Sequence, residues 1–214
     1  PHLDSTLRIV EDIAKKKKYD FQLGVISSDV DKEFVKKRMK EGPVQCLTPH
    51  LPDLTEEDVD RSSVIVGMMG LEPFLEALKQ GAQVIIAGRA LDPVVIAAYP
   101  ILKGYDKALS YHAGKILECG EQAATKIRQT TVLEKDPRNR IPMIARIRRD
   151  HILITPGHED LKCTVYSCAA HAMYERESAL SEGYPEGVLD LSGSVYEQVD
   201  ERTVKVTGTR FIEQ

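Results

Sequence analysis

The sequence has no tryptophan and four phenylalanines, so aliphatic residues must supply most of any core. It has four cysteines, Cys46, Cys119, Cys163 and Cys168, with no CxxC and no histidines at zinc-finger spacing. That argues against a disulfide framework and a structural zinc site, and points to free thiols in a reducing compartment. No apolar run reaches the roughly 18 residues of a membrane-spanning helix. No signal peptide opens the chain. The expected class is a soluble cytoplasmic protein without a membrane partner. Basic excess is missing too: 29 Lys and Arg against 33 Asp and Glu leave a net charge of −4. Duplex nucleic acid is therefore not an expected partner. The one basic run, Lys15 to Lys18, ends a helical stretch, where cations favour the helix dipole.

Familiar catalytic motifs are also absent. There is no GxGxxG after a strand, no P-loop and no GxSxG. His158-Glu159 is followed by Lys162 where HExxH needs its second histidine. His171 and Glu175 share a helix face, but two ligands make no metal site. No metal and no cofactor are expected.

What is present is a chain of 214 residues, 42% hydrophobic, long enough for a sizeable core. Leu3 to Lys18 is helical in period. Phe21 to Ser27 reads as a strand, and Asp31 to Glu41 as a helix stopped by Gly42-Pro43. Thr55 caps a further helix, with Asp58 three residues on. Val64 to Gly67 and Val84 to Gly88 read as strands. Leu71 to Leu78 is a helix ended by Gly81. Asp92-Pro93 starts a helix that Pro100 interrupts, and a long helix is expected from Lys107 to Lys126. This alternation predicts an α/β fold with a mostly parallel sheet flanked by helices. Beyond it, a smaller α+β region with antiparallel strands is expected. Ala145 to Ile154 reads as a hairpin, Cys163 to Glu175 as a helix, Ser178 to Gly187 as irregular, and Val195 to Val206 as a second hairpin. The expected division is 1–126 and 127–214.

In parallel sheets, ligands sit at the carboxyl ends of the strands. Gly88 would let a ligand approach the backbone, and Arg89 would offer its fork of donors to a carboxylate or phosphate. Asp92, as helix cap, opens a helix whose free N–H groups favour an anion. Gly67 and Gly70 form a second strand-to-helix turn. His112, Lys115 and Cys119 share one helix face, with Glu118 beside them. His171 has Ser167 and Glu175 a turn either side. His158 stands in a Pro/Gly loop, where function often concentrates. The candidates are therefore His112, Lys115 and His171 for proton transfer, and Gly67, Gly70, Gly88, Arg89, Asp92, Glu118 and His158 for ligand binding. Each has a plain alternative as a cap, a turn or a surface ion pair.

Several of these runs resemble one family. Gly81 to Pro93, His112 to Gly120, Cys163 to Glu175, Gly187 to Ser192 and Asp200 to Phe211 are similar, in order, to stretches of the acyclic terpene utilisation (AtuA-like) family, long carried as a domain of unknown function. Glu186 stands where that family has a first glycine. The resemblance implies a longer parent protein, of which this chain is an internal piece. It also implies a place in terpene or small-carboxylate catabolism through acyl-CoA intermediates. Two readings stay open: an enzyme acting on a small anionic metabolite or acyl-CoA, and a non-catalytic subunit supporting a partner enzyme. A homo-oligomer is the expected assembly.

Overall fold

The computed structural model describes residues 3–46, 51–127, 142–176 and 178–213. Two compact units emerge. One takes Pro1–Met69 and Gln80–Ala90, the other Gly70–Lys79 and Leu91–Gln214.

The first unit contains α1 (Leu3–Lys17), β1 (Leu23–Ile26), α2 (Lys32–Glu41), α3 (Glu56–Arg61) and β2 (Val84–Ala87). Local chemistry sets the helix ends. Asp31 caps α2 by accepting from the N–H groups of Glu33 and Phe34, and Gly42 closes it. Thr55 and Asp58 form the reciprocal capping box of α3. β1 and β2 pair in parallel, from Leu23 opposite Val84 to Ile26 opposite Ala87.

The expectation of a mostly parallel sheet is corrected here. Among the described residues the parallel sheet has two strands, and the other sheets are antiparallel. Val64 to Gly67 joins no ladder. Val66 makes an isolated antiparallel bridge to Asp29, and the Gly67 N–H is taken by the Ser28 carbonyl at 2.7 Å. The Ile65 carbonyl and Gly67 N–H are taken by Val30 and Ser28 of the turn after β1, which offers a bridge rather than a strand as partner.

The second unit begins with α4 (Glu72–Lys79), α5 (Asp92–Leu102) and α6 (Lys107–Leu117). A 3-10 turn over Gly120–Ala123 leads to β3 (Ala124–Lys126), followed by β4 (Met143–Ile147), β5 (Ile152–Pro156) and β6 (Leu161–Cys163). Then come α7 (Val165–Ala172), β7 (Ser181–Tyr184), β8 (Gly187–Asp190), β9 (Val195–Gln198), β10 (Val204–Thr207) and β11 (Arg210–Glu213). A four-stranded sheet runs β4-β5-β10-β9, a three-stranded one β11-β8-β7, and β3 pairs with β6. Inward residues of the larger sheet, Ile152, Ile154, Val204 and Val206, pack with Leu109, Ala113 and Ile116 of α6 and Cys168 and Ala172 of α7.

Three helix limits differ from expectation. α5 continues past Pro100 to Leu102, because the lost N–H falls in its last turn. The long helix stops at Leu117, and Gly120 opens the 3-10 turn. α7 is shorter than Cys163 to Glu175, because Thr164 caps it through a box with Ser167 and leaves Cys163 in β6. The stretch read as irregular holds the hairpin β7–β8, with Tyr184 opposite Gly187. Two residues, Pro185 and Glu186, turn that hairpin. Among the described residues no helix is long and apolar enough to cross a membrane.

α5 and α6 approach closely at Gly114, where an added Cβ would meet the Pro93 carbonyl oxygen at 2.5 Å. Alanine is the better helix former by about 1 kcal/mol, yet backbone cannot yield as a flexible side chain would. Gly114→Ala is therefore expected to destabilise by about 1–3 kcal/mol, as overpacking does. Urea denaturation reads the sign directly, and a stabilised variant would contradict this packing.

Candidate functional site

In the first unit, β1 and β2 end side by side. The turn after β1 places Ser28, which is buried, against Gly88. A Cβ at Gly88 would overlap the Ser28 side chain and backbone nitrogen. Glycine is needed there for close approach. The Arg89 N–H donates to Ser28 Oγ at 2.8 Å, and the Gly88 N–H to the Ile26 carbonyl at 2.8 Å. A cleft of about 320 Å³ opens here, lined in part by Thr6, Ser27, Ser28, Asp29, Gly88 and Arg89. The fold thus gathers Gly67, Gly88 and Arg89 around this strand-end turn. Ser28 was missed from the sequence; its signal was a serine in the turn after an apolar strand.

In the second unit, α6 is buried along nearly its whole length and carries its polar residues inward. His112 is fully buried. Its Nδ1 lies 2.6 Å from Thr209 Oγ1 and its Nε2 2.9 Å from the Tyr196 hydroxyl. Burial, with a smaller contribution from Arg176, pushes its pKa down to about 3, so the imidazole is neutral at ordinary pH. Lys115 Nζ donates to Glu118 Oε1 at 2.5 Å, both side chains less than a tenth exposed. Burial raises the Glu118 carboxyl above the usual range. Lys115 opposes this shift, while Glu182 and Asp92 reinforce it.

Glu118 and Cys119 line a cleft of about 510 Å³ with Ile96, Leu117, Pro142 and Met143 among its walls. Burial and the Glu118 and Glu175 carboxylates raise the Cys119 pKa, which keeps it a thiol. His171 on α7 is buried, and its Nε2 has no hydrogen-bond partner. Burial and then Lys115 lower its pKa, while Glu175 raises it. Tyr174 stacks on the His171 ring at 5.9 Å. Glu175 holds φ 54°, a left-handed conformation rare for a residue with a side chain. Strain of this kind gathers at functional sites, and Glu175 was left out of the sequence candidates.

Lys115, Glu118 and His171 thus form one electrostatic neighbourhood, while His112 is held apart between two hydroxyls. The remaining candidates take other places. His158 sits in the β5–β6 turn, its Nδ1 accepting from the Asp160 N–H at 3.1 Å. Gly70 packs against Pro185. Asp92 is the first residue of α5 rather than its cap; Leu91 holds the cap position, and Pro93 follows one place later than expected. Among the described residues, no three His, Cys, Asp or Glu side chains come together as a metal-binding set.

Residues 4–214 match the profile described as acyclic terpene utilisation family protein AtuA. The chain belongs to this family. The match covers the strand-end turn at Arg89 and the α6–α7 neighbourhood at Glu118. No curated protein and no solved structure matches the chain. Family membership associates the chain with acyclic terpene utilisation.

Proposed function

We propose that this AtuA chain acts in acyclic terpene breakdown on an aliphatic carboxylate or its acyl-CoA thioester, with Glu118 as the proton-transferring group. The observation that carries this reading is the buried Lys115–Glu118 pair at 2.5 Å on the wall of a cleft with apolar sides. Ile96, Leu117 and Met143 suit a hydrocarbon chain. A carboxyl with a raised pKa keeps its proton to higher pH than an ordinary one, which suits it to proton transfer. Lys115, Glu182 and Asp92 tune that carboxyl, and Lys115 holds it in place. Arg89, at the strand-end cleft of the first unit, is proposed as a point for an anionic group.

The test is to incubate the purified protein with aliphatic acyl-CoA thioesters of increasing chain length and follow products by mass spectrometry. Conversion that disappears in Glu118→Gln supports the reading. Arg89→Ala is expected to weaken, several-fold, calorimetric binding of inorganic phosphate at the strand-end cleft; unchanged binding would remove Arg89 from the scheme.

A second reading is a non-catalytic subunit serving a partner enzyme or a homo-oligomer. It is favoured by His112, which is enclosed between Thr209 and Tyr196 and neutral, and by Cys119, which stays a thiol. Turnover by the isolated protein would exclude it.

A further inference from the structure

Gly120 opens the 3-10 turn after α6, and its backbone does not lie in the left-handed region that calls for glycine. What requires glycine there is space. An added Cβ would stand 3.1 Å from Met143 Cγ and 3.2 Å from Met143 Cβ. Ordinary carbon contacts lie at about 3.5–4.0 Å. Met143 begins β4 and is buried in the core under the larger sheet. Gly120 and Met143 both line the cleft of about 510 Å³ that holds Glu118. One side chain thus serves the core and the cleft at once.

The walls of this cleft differ in stiffness. Pro142 is a closed ring, and Ile96, branched at Cβ on α5, keeps one strongly preferred rotamer. Met143 is unbranched, and its thioether end adapts to irregular space. Gly120 leaves that end its room. We propose, building on the assignment of this cleft to an aliphatic carboxylate or its thioester, that the Gly120–Met143 contact sets the chain length that it accepts. A side chain at position 120 would take cleft volume itself and push Met143 aside. A shorter side chain at position 143 would return volume. Each buried methylene strengthens binding roughly fourfold, so the space of one or two carbons reorders the preference among neighbouring lengths.

The test is calorimetric titration of the chain with butanoate, hexanoate, octanoate and decanoate. Gly120→Ala is expected to move the preferred length to a shorter acid, weakening the longer ones by roughly fourfold for each methylene that no longer fits. Met143→Val keeps a residue suited to a strand but lacks the thioether end, and is expected to move the preference to a longer acid. Opposite shifts distinguish the contact from a structural role, because loss of packing would weaken all four acids alike. Should one variant fail to fold by circular dichroism, the shift in the other decides. Saturable binding with the same length profile in the parent and the folded variants would overturn the proposal and leave the assignment of the cleft intact. Absence of saturable binding of every acid to the parent would overturn both.

Discussion

Glu118→Gln is expected to lower turnover of an acyl-CoA substrate by about 10²–10⁴-fold, the usual contribution of a positioned acid–base group. The change keeps the shape of the side chain and one acceptor for Lys115, 2.5 Å away. What it removes is the proton. In the proposed reading Ile96, Leu117 and Met143 hold the aliphatic chain, so KM is expected to change little. The split between kcat and KM separates proton transfer from positioning. Glu118 titrates above the normal carboxylate range because it is buried. The kcat profile of the parent protein is therefore expected to rise with pH on its acid side if Glu118 acts as base, and Glu118→Gln is expected to lose that limb. An intact limb in the variant would assign it to another group.

The second large effect concerns His112 and acid. Its folded pKa is about 3 against an ordinary 6.5. The unfolded chain therefore binds this proton first, and stability rises with pH across that window. Stability is fully present above 6.5 and is lost as pH falls toward 3, by up to about 1.4 kcal/mol per pH unit and roughly 4–5 kcal/mol in all. His171, also lowered by burial, acts in the same direction, and Glu118, raised by burial, acts in the opposite one. Comparison with His112→Gln isolates the histidine. Glutamine can still bond to Thr209 and Tyr196 but does not titrate. Denaturant curves from pH 4 to 7 are expected to show a markedly shallower pH slope in the variant. Parallel slopes in the two proteins would mean that His112 is not held neutral by burial.

Much of the local structure was legible because short-range chemistry decided it. Asp31, Thr55 and Gly42 mark helix ends through bonds within three or four residues. The two hairpins around Ile147–Ile152 and Gln198–Val204 follow from alternating β-branched residues. Pairing was less legible. Strand direction depends on partners far along the chain: Ile152 and Ile154 of β5 meet β10 some fifty residues later. A short apolar run reads alike in parallel and antiparallel sheets, so the parallel sheet was overestimated.

The candidate site divides in the same way. Lys115 and Glu118 were visible as helix neighbours three apart. Nothing in that spacing told that both are buried, nor that burial raises one carboxyl. His112 looked equivalent to them, yet β9 supplies Tyr196 and the turn before β11 supplies Thr209, and these enclose it. Gly120 ends one of the family runs, yet nothing in the sequence ties it to Met143.

By itself, the sequence determined the family, the helix caps and the residue types available for chemistry, because these depend on identity and near neighbours. The tertiary structure alone decided strand partners, burial and hence protonation, because desolvation depends on which distant segments close over a side chain.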